Sequence, residues 1–170
     1  MHHLVILLLV LDTLQINYYD FQGKVQKGEL ICNKTISKDL QEIFSELYKA
    51  KYPIARIEPI SRYDSNDEVS MAANNTSCYC KRTINGSTRL SKHAQGLAVD
   101  INPLYNPCVN LRTGKVEPKA GTKYAYNRDK RKDIPGRIDR KDLCYRLFTR
   151  HGFRWGGAWK TKKDYQHFEK

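Results

Sequence analysis

The feature that most constrains how this chain folds is Ser91-Lys92-His93-Ala94-Gln95-Gly96-Leu97-Ala98-Val99-Asp100, read together with Asp164-Tyr165-Gln166-His167 just before the C-terminus. Leu97-Ala98-Val99 is a short apolar run of the kind that forms a buried strand. Gly96 before it suits a tight turn or a close backbone approach, which a β-carbon would obstruct. A turn carrying His93, followed by a strand ending at Asp100, aims both side chains at one point. Tyr165 to Phe168 alternates like a last strand carrying His167, with Asp164 at its entrance. A fold that honours both segments brings distant parts of the chain together.

Two imidazoles and a carboxylate make a three-ligand set for zinc, with the fourth position left to a water. Structural zinc sites use four closely spaced Cys or His ligands. The five cysteines here, Cys32, Cys78, Cys80, Cys108 and Cys144, include no CxxC pair, so the metal reads as functional. Amide hydrolysis needs a strong nucleophile at neutral pH, and zinc lowers the pKa of its water to roughly 7. A carboxylate beside that water accepts its proton and delivers it to the leaving amine, which is the role open to Asp164. On spacing alone, Asp164 is equally an ordinary turn residue, and a lone His is more often a satisfied surface or core residue than a ligand.

Ser91-x-His93-x-x-Gly96-x-Ala98-x-Asp100, followed by Trp155-Gly156-Gly157 and Asp164-x-x-His167-Phe168, resembles the zinc D-alanyl-D-alanine carboxypeptidase family. That family includes the L-alanyl-D-glutamate endopeptidases of phage endolysins and the vancomycin-resistance dipeptidases. The similarity runs from about Ser37 to the C-terminus, with Asn74-Asn75-Thr76-Ser77 and Asp100-Ile101-Asn102-Pro103 as further matching pieces. The resemblance implies His93, Asp100 and His167 as zinc ligands, Asp164 as general base and acid, and Ser91 as a polar contact to substrate. It also implies an arginine for the oxyanion, for which Arg82 is the candidate and Arg62 the substitute. Many relatives carry Glu where this chain has Asp164, one methylene longer. The implied function is a zinc peptidase acting on peptidoglycan stem peptides next to a D-amino acid, as a D,D-carboxypeptidase or an L-alanyl-D-glutamate endopeptidase. The alternative is a non-catalytic, zinc-containing cell-wall-binding module on the same hedgehog-like fold. Trp155 is expected to wall the groove, with core filling as its plainer role.

A chain of 170 residues fits one domain and buries a core without needing disulfides. Leu4 to Leu11 is an unbroken apolar run, too short to span a bilayer but within the range of a signal-peptide core. It lacks a preceding Lys or Arg and a following Ala-x-Ala. Residues 1–17 are therefore expected to be a truncated or atypical signal, or else to begin a buried strand, and 18–170 to be one zinc peptidase domain. Ser37 is expected to cap a helix to about Lys51, ended by Pro53. Ile54 to Ile60 is expected as a strand, Ser65 to Met71 as a loop or short turn, and Asn102 to Pro135 as an ordered surface excursion near the site. Asp139 is expected to cap a second helix with Leu143, Cys144, Leu147 and Phe148 buried and Gly152 at its end. The order fits an α+β domain: a small, mainly antiparallel sheet, helices on one side, and zinc in an open groove.

Thirty Lys and Arg against eighteen Asp and Glu give a net charge of +12, clustered over Arg112–Lys141 and at Lys160, Lys162 and Lys163. A basic surface concentrates a protein on an anionic wall polymer. Tyr124 and Tyr126 between basic residues would suit single strands, but no nucleic-acid-binding motif accompanies them. A monomer exported to the cell envelope or periplasm is the expectation. The odd cysteine count leaves two readings: a bridge from Cys78 or Cys80 to Cys108 or Cys144, or buried reduced thiols.

Overall fold

The computed structural model describes residues 9–81 and 89–170. Strands β1 (Leu11–Tyr19) and β2 (Val25–Asn33) form an antiparallel hairpin in which Leu14 faces Leu30. Its turn is held by the Asp20 carboxylate, which accepts from the Gln22 and Lys24 amides. Leu14, Ile16 and Tyr18 point inward from β1, the period-two alternation of a half-buried strand. Residues 11–17 lie within β1. Opposite Ile16, Gly28 lets the next strand pass close, because a β-carbon there would sit 2.5 Å from Ile57 Cβ. Helix α1 (Lys34–Lys49) follows without a loop. Its cap is Asn33, whose side chain accepts from the Thr35 amide, so the helix starts earlier than Ser37. Ile36, Leu40, Ile43, Phe44 and Leu47 form its buried stripe.

A buried polar scaffold comes next. The strand expected over Ile54–Ile60 shortens to β3 (Arg56–Ile57), because the backbone turns into a 3-10 segment at Ile60–Tyr63. The expected loop at Ser65–Met71 contains a helix, α2 (Asp67–Ala72), capped by Asn66 through the Val69 amide. β4 (Asn75–Thr76) pairs parallel with β3. Asn75 is fully buried, gives its amide to the Glu58 carbonyl and Ser70 hydroxyl, and accepts from the Glu58 amide. β5 (Ala98–Asp100) is bridged to Ser77 by paired backbone hydrogen bonds. Beyond it, the Asn102 amide reaches Thr76 Oγ1 while its side chain holds Ala55 and Pro53. Burying these polar groups is tolerable because each is paired.

The excursion after Asn102 contains β6 (Cys108–Asn110) and β7 (Val116–Glu117). Helix α3 (Leu143–Arg150) is capped by Asp142, whose carboxylate accepts from the Cys144 amide. The expected cap, Asp139, instead holds the turn before it through the Lys141 and Asp142 amides. β8 (Arg154–Trp155), β9 (Lys162–Asp164) and β10 (His167–Glu169) complete the chain. Tyr165 and Gln166 form a turn, so the last strand begins at His167 and Asp164 closes the strand before it. Two three-stranded antiparallel sheets result, β5-β10-β8 and β7-β6-β9. The architecture is α+β, as expected, with small, mainly antiparallel sheets, four of them among the described residues.

The main core joins the hairpin, α1, α3 and the β5-β10-β8 sheet. Phe148 of α3 stacks on Phe168 of β10 with centroids 4.3 Å apart, and both are buried completely. Each such side chain contributes roughly 1.5–3 kcal/mol through burial. Cys32, Cys78 and Cys144 are buried here as unbridged thiols, and burial pushes the Cys32 thiol up to about 12. They act as small apolar groups. Among the described residues, no helix is long and apolar enough to cross a membrane.

Candidate metal centre

β5 and β10 run antiparallel, in a register that sets His167 directly opposite Asp100. Alternation along β10 sends Phe168 into the core and leaves His167 and Glu169 on the other face. His93 arrives from a 3-10 turn, His93–Gln95, that packs against β5. Gly96 ends this turn at φ +66, where a β-carbon would lie 2.6 Å from the Asn33 amide nitrogen. Its carbonyl accepts from the Asn33 amide, and Asn33 Nδ2 donates to the Gln95 carbonyl. The start of α1 therefore pins the turn that carries His93.

The three side chains meet. His93 Nε2 lies 3.1 Å from Asp100 Oδ2 and 3.2 Å from His167 Nδ1, while His167 Nδ1 lies 3.1 Å from Asp100 Oδ1. A tetrahedral zinc with nitrogen and oxygen ligands at 2.0–2.1 Å has ligand-to-ligand edges of about 3.3 Å. Outer partners fix both rings. His93 Nδ1 lies 2.7 Å from the Cys78 carbonyl, which only accepts, so this nitrogen carries the proton and Nε2 presents its lone pair. His167 Nε2 meets Glu169 Oε2 at 3.1 Å, and Arg154 holds the other oxygen of Glu169 at 2.8 Å. Two lone pairs and a carboxylate at this spacing repel one another unless a cation lies between them. The donor set fits zinc.

The electrostatics of the buried cluster agree. Burial raises the Asp100 carboxyl, but His93 and His167 outweigh it and hold it far below the usual carboxylate range. Burial disfavours a charged His167, yet Asp100 and Glu169 lift it to about 10. Without metal, the cluster keeps a proton where a cation is wanted.

Asp164 shares the cleft, a space of about 650 Å³ that His93, Asp100 and His167 also line. β9 delivers it, paired with β6 so that Asp164 faces Cys108. Gly156 lets the 3-10 turn Gly156–Ala158 lie against it: a β-carbon there would sit 2.7 Å from the Asp164 carbonyl and 2.8 Å from its Cβ. Asp164 Oδ1 is buried and has no hydrogen-bond partner among the described residues. Burial raises its carboxyl above the ordinary range; His167 opposes this and the Asp100 charge reinforces it. Cys108 also lines the cleft, but burial and then the Asp164 charge push its thiol far up, so no thiolate nucleophile forms at neutral pH.

Ser91 lines the cleft and its hydroxyl accepts from the Ala94 amide, bracing the His93 turn. Trp155, expected to wall the groove, is a core residue at 7% exposure, its indole N–H held by the Tyr165 carbonyl. The tryptophan in the cleft is Trp159, with its ring 5.2 Å from that of His167 and Lys162 above it. Gly157 allows the turn between the two, since a β-carbon there would strike the Trp155 ring at 2.2 Å. Arg82 lies outside the described residues. Arg62 is exposed on the Ile60–Tyr63 segment and is not among the described residues lining the cleft. Sequence reasoning left Trp159, like Trp155, open between the groove wall and the core, and it missed the Cys78 carbonyl, for which a backbone group leaves no signal.

A family model described as D-alanyl-D-alanine carboxypeptidase matches residues 85–170, the half of the chain that holds His93, Asp100, Asp164 and His167. No curated protein and no solved structure matches the chain significantly.

Proposed function

The chain belongs to the D-alanyl-D-alanine carboxypeptidase family, and from that membership we propose that it is a zinc peptidase hydrolysing peptidoglycan stem peptides next to a D-amino acid. One observation carries the reading: two imidazole nitrogens and a carboxylate at tetrahedral spacing share a cleft with a buried, unpartnered carboxylate oxygen on Asp164. His93, Asp100 and His167 would hold the metal. Zinc, when bound, supplies Lewis-acid polarisation of the scissile carbonyl and a water whose pKa falls to roughly 7.

The chain's own groups do the rest. Asp164 Oδ1 takes the proton from the attacking water and passes it to the leaving nitrogen, a transfer helped by a carboxyl pKa that burial raises above the ordinary range. Glu169 and the Cys78 carbonyl keep the two imidazoles in the tautomers that leave the required lone pairs free. Ser91 and Trp159 are assigned to substrate contact, and the Arg82 guanidinium to the oxyanion, whose charge is greatest in the transition state. The reading as a non-catalytic module is not favoured, because the family is a peptidase family and the acid is present. A substrate of this kind places the enzyme at the cell envelope, where a charge of +12 favours an anionic polymer.

The test is to incubate the zinc-loaded chain with muropeptides of defined stem length and identify the products by mass. Release of terminal D-alanine marks the carboxypeptidase mode, and cleavage between L-alanine and D-glutamate the endopeptidase mode. Intact muropeptides at full zinc occupancy would refute the reading.

A further inference from the structure

Gln166 stands between Asp164 and His167, lines the cleft and is 2% exposed, yet the reaction gives it no task. Its backbone carbonyl is committed to the Ile101 amide at 3.0 Å, which ties the turn to the chain just after β5. Its side-chain Nε2 donates to the Glu117 carbonyl at 3.4 Å. That contact identifies which end of the amide is the nitrogen, since the flipped form would set two acceptor oxygens against each other. Oε1 is left buried with no hydrogen-bond partner among the described residues. A buried acceptor in that state carries a desolvation cost that is recovered when a donor arrives.

The chemistry of that donor is constrained. Glu68, Glu117 and Asp164 supply carboxylates along the same cleft, and an ammonium group is best met by those. A neutral carbonyl oxygen suits a neutral N–H, which loses less on leaving water than a charge does. The 3.4 Å tether is long for an N–H···O bond, and the terminal torsion of a glutamine side chain is broad, so the amide is free to turn toward a donor. We propose that Gln166 Oε1 accepts one backbone N–H of the substrate peptide and so fixes the register in which the peptide lies across His93, Asp100 and His167. This rests on the peptidase reading of the cleft.

The experiment measures binding by calorimetry to the zinc-loaded full chain carrying Asp164→Asn, so that the peptide stays intact. The probes are a synthetic stem pentapeptide and analogues, each N-methylated at one backbone amide. Gln166→Met, with Gln166→Leu as a second variant, removes the acceptor while leaving the backbone bond to Ile101 in place. Affinity for the pentapeptide is expected to fall about 3- to 10-fold. One N-methylated analogue should lose the same factor on the Gln166 protein and nothing further on the variants, whereas a purely structural role would weaken every analogue alike. Equal losses for all analogues, or none, overturn the assignment while leaving the peptidase reading intact. A loss that disappears when the side-chain amine of the stem is replaced by a methyl group identifies an ammonium partner and overturns it too. If no stem peptide binds and the chain with Asp164 intact releases no amine, the peptidase reading fails and takes this assignment with it.

Discussion

Asp100 and His167 face each other directly across the β5–β10 ladder, with Oδ1 and Nδ1 3.1 Å apart. The pairing register therefore decides the proposed ligand set. A slip of one residue in β10 would present Phe168 to the cleft and turn the imidazole toward the core. The stacking of Phe168 on Phe148 holds the register from the far side of the sheet.

Replacing any one of His93, Asp100 and His167 by alanine is expected to lower zinc affinity on the order of 100-fold or more, above the range typical for a merely supporting partner. Metal analysis after dialysis against a weak chelator checks this. A variant that retains one zinc per chain would remove its residue from the ligand set.

Glu169→Ala should weaken zinc binding by about 10- to 100-fold, because His167 then loses the acceptor that holds its Nε2 proton. Glu169→Gln keeps an acceptor and should recover part of the loss. Chelator competition at fixed pH separates the two, and identical affinities for both variants and the parent would show that Glu169 does not orient the ring.

Asp164→Asn should keep its zinc while losing about 10²- to 10⁴-fold in turnover, the range typical of a positioned acid or base. Amine release from a defined muropeptide is the readout. Turnover near that of the parent would move proton transfer to another group.

Gly156→Ala places a methyl group against the Asp164 carbonyl and Cβ and close to His167 Cβ. Overpacking of this kind costs about 1–3 kcal/mol and should lower turnover by displacing the acid. Thermal melting and turnover measured on the same sample test it; an unshifted melt with full turnover would mean that the turn yields freely.

Burial raises the Asp142 carboxyl to about 6. The folded chain then keeps a proton that the unfolded chain has already released above about pH 4. Stability from this group is greatest below that point and falls as the pH rises through about 6. Asp142→Asn retains an oxygen for the Tyr52 hydroxyl and the Cys144 amide. The variant should therefore escape the fall and exceed the parent by about 1–3 kcal/mol at pH 7. Denaturant melts at pH 4 and pH 7 give the comparison, and parallel behaviour of the two proteins would contradict it.

The buried stripes of α1 and α3 and the strand ending at Asp100 were legible in the sequence because apolar spacing reports which face is covered. The caps were less so. Asn33 and Asn66 cap their helices, yet either side chain also fits a turn, and Ser37 offered an equally plausible start for α1. Trp155 and Trp159 could not be told apart from composition. Which one enters the cleft depends on the glycine turn between them, and the two β-carbon clashes at Gly156 and Gly157 appear only in three dimensions. The division into small sheets was equally hidden, since β5, β6, β8, β9 and β10 sort into two separate sheets through pairings between strands not consecutive in the chain.

The tie between Asn33 and the His93 turn has a consequence for dissection of this protein. The family match begins at residue 85, but the Cys78 carbonyl that sets the imidazole tautomer and the asparagine that anchors its loop both lie upstream. A fragment containing all three proposed ligands would still lack the parts that orient them. The amino-terminal half is thus the jig on which the proposed metal pocket is assembled, and loosening the hairpin should be felt first as a drop in metal retention.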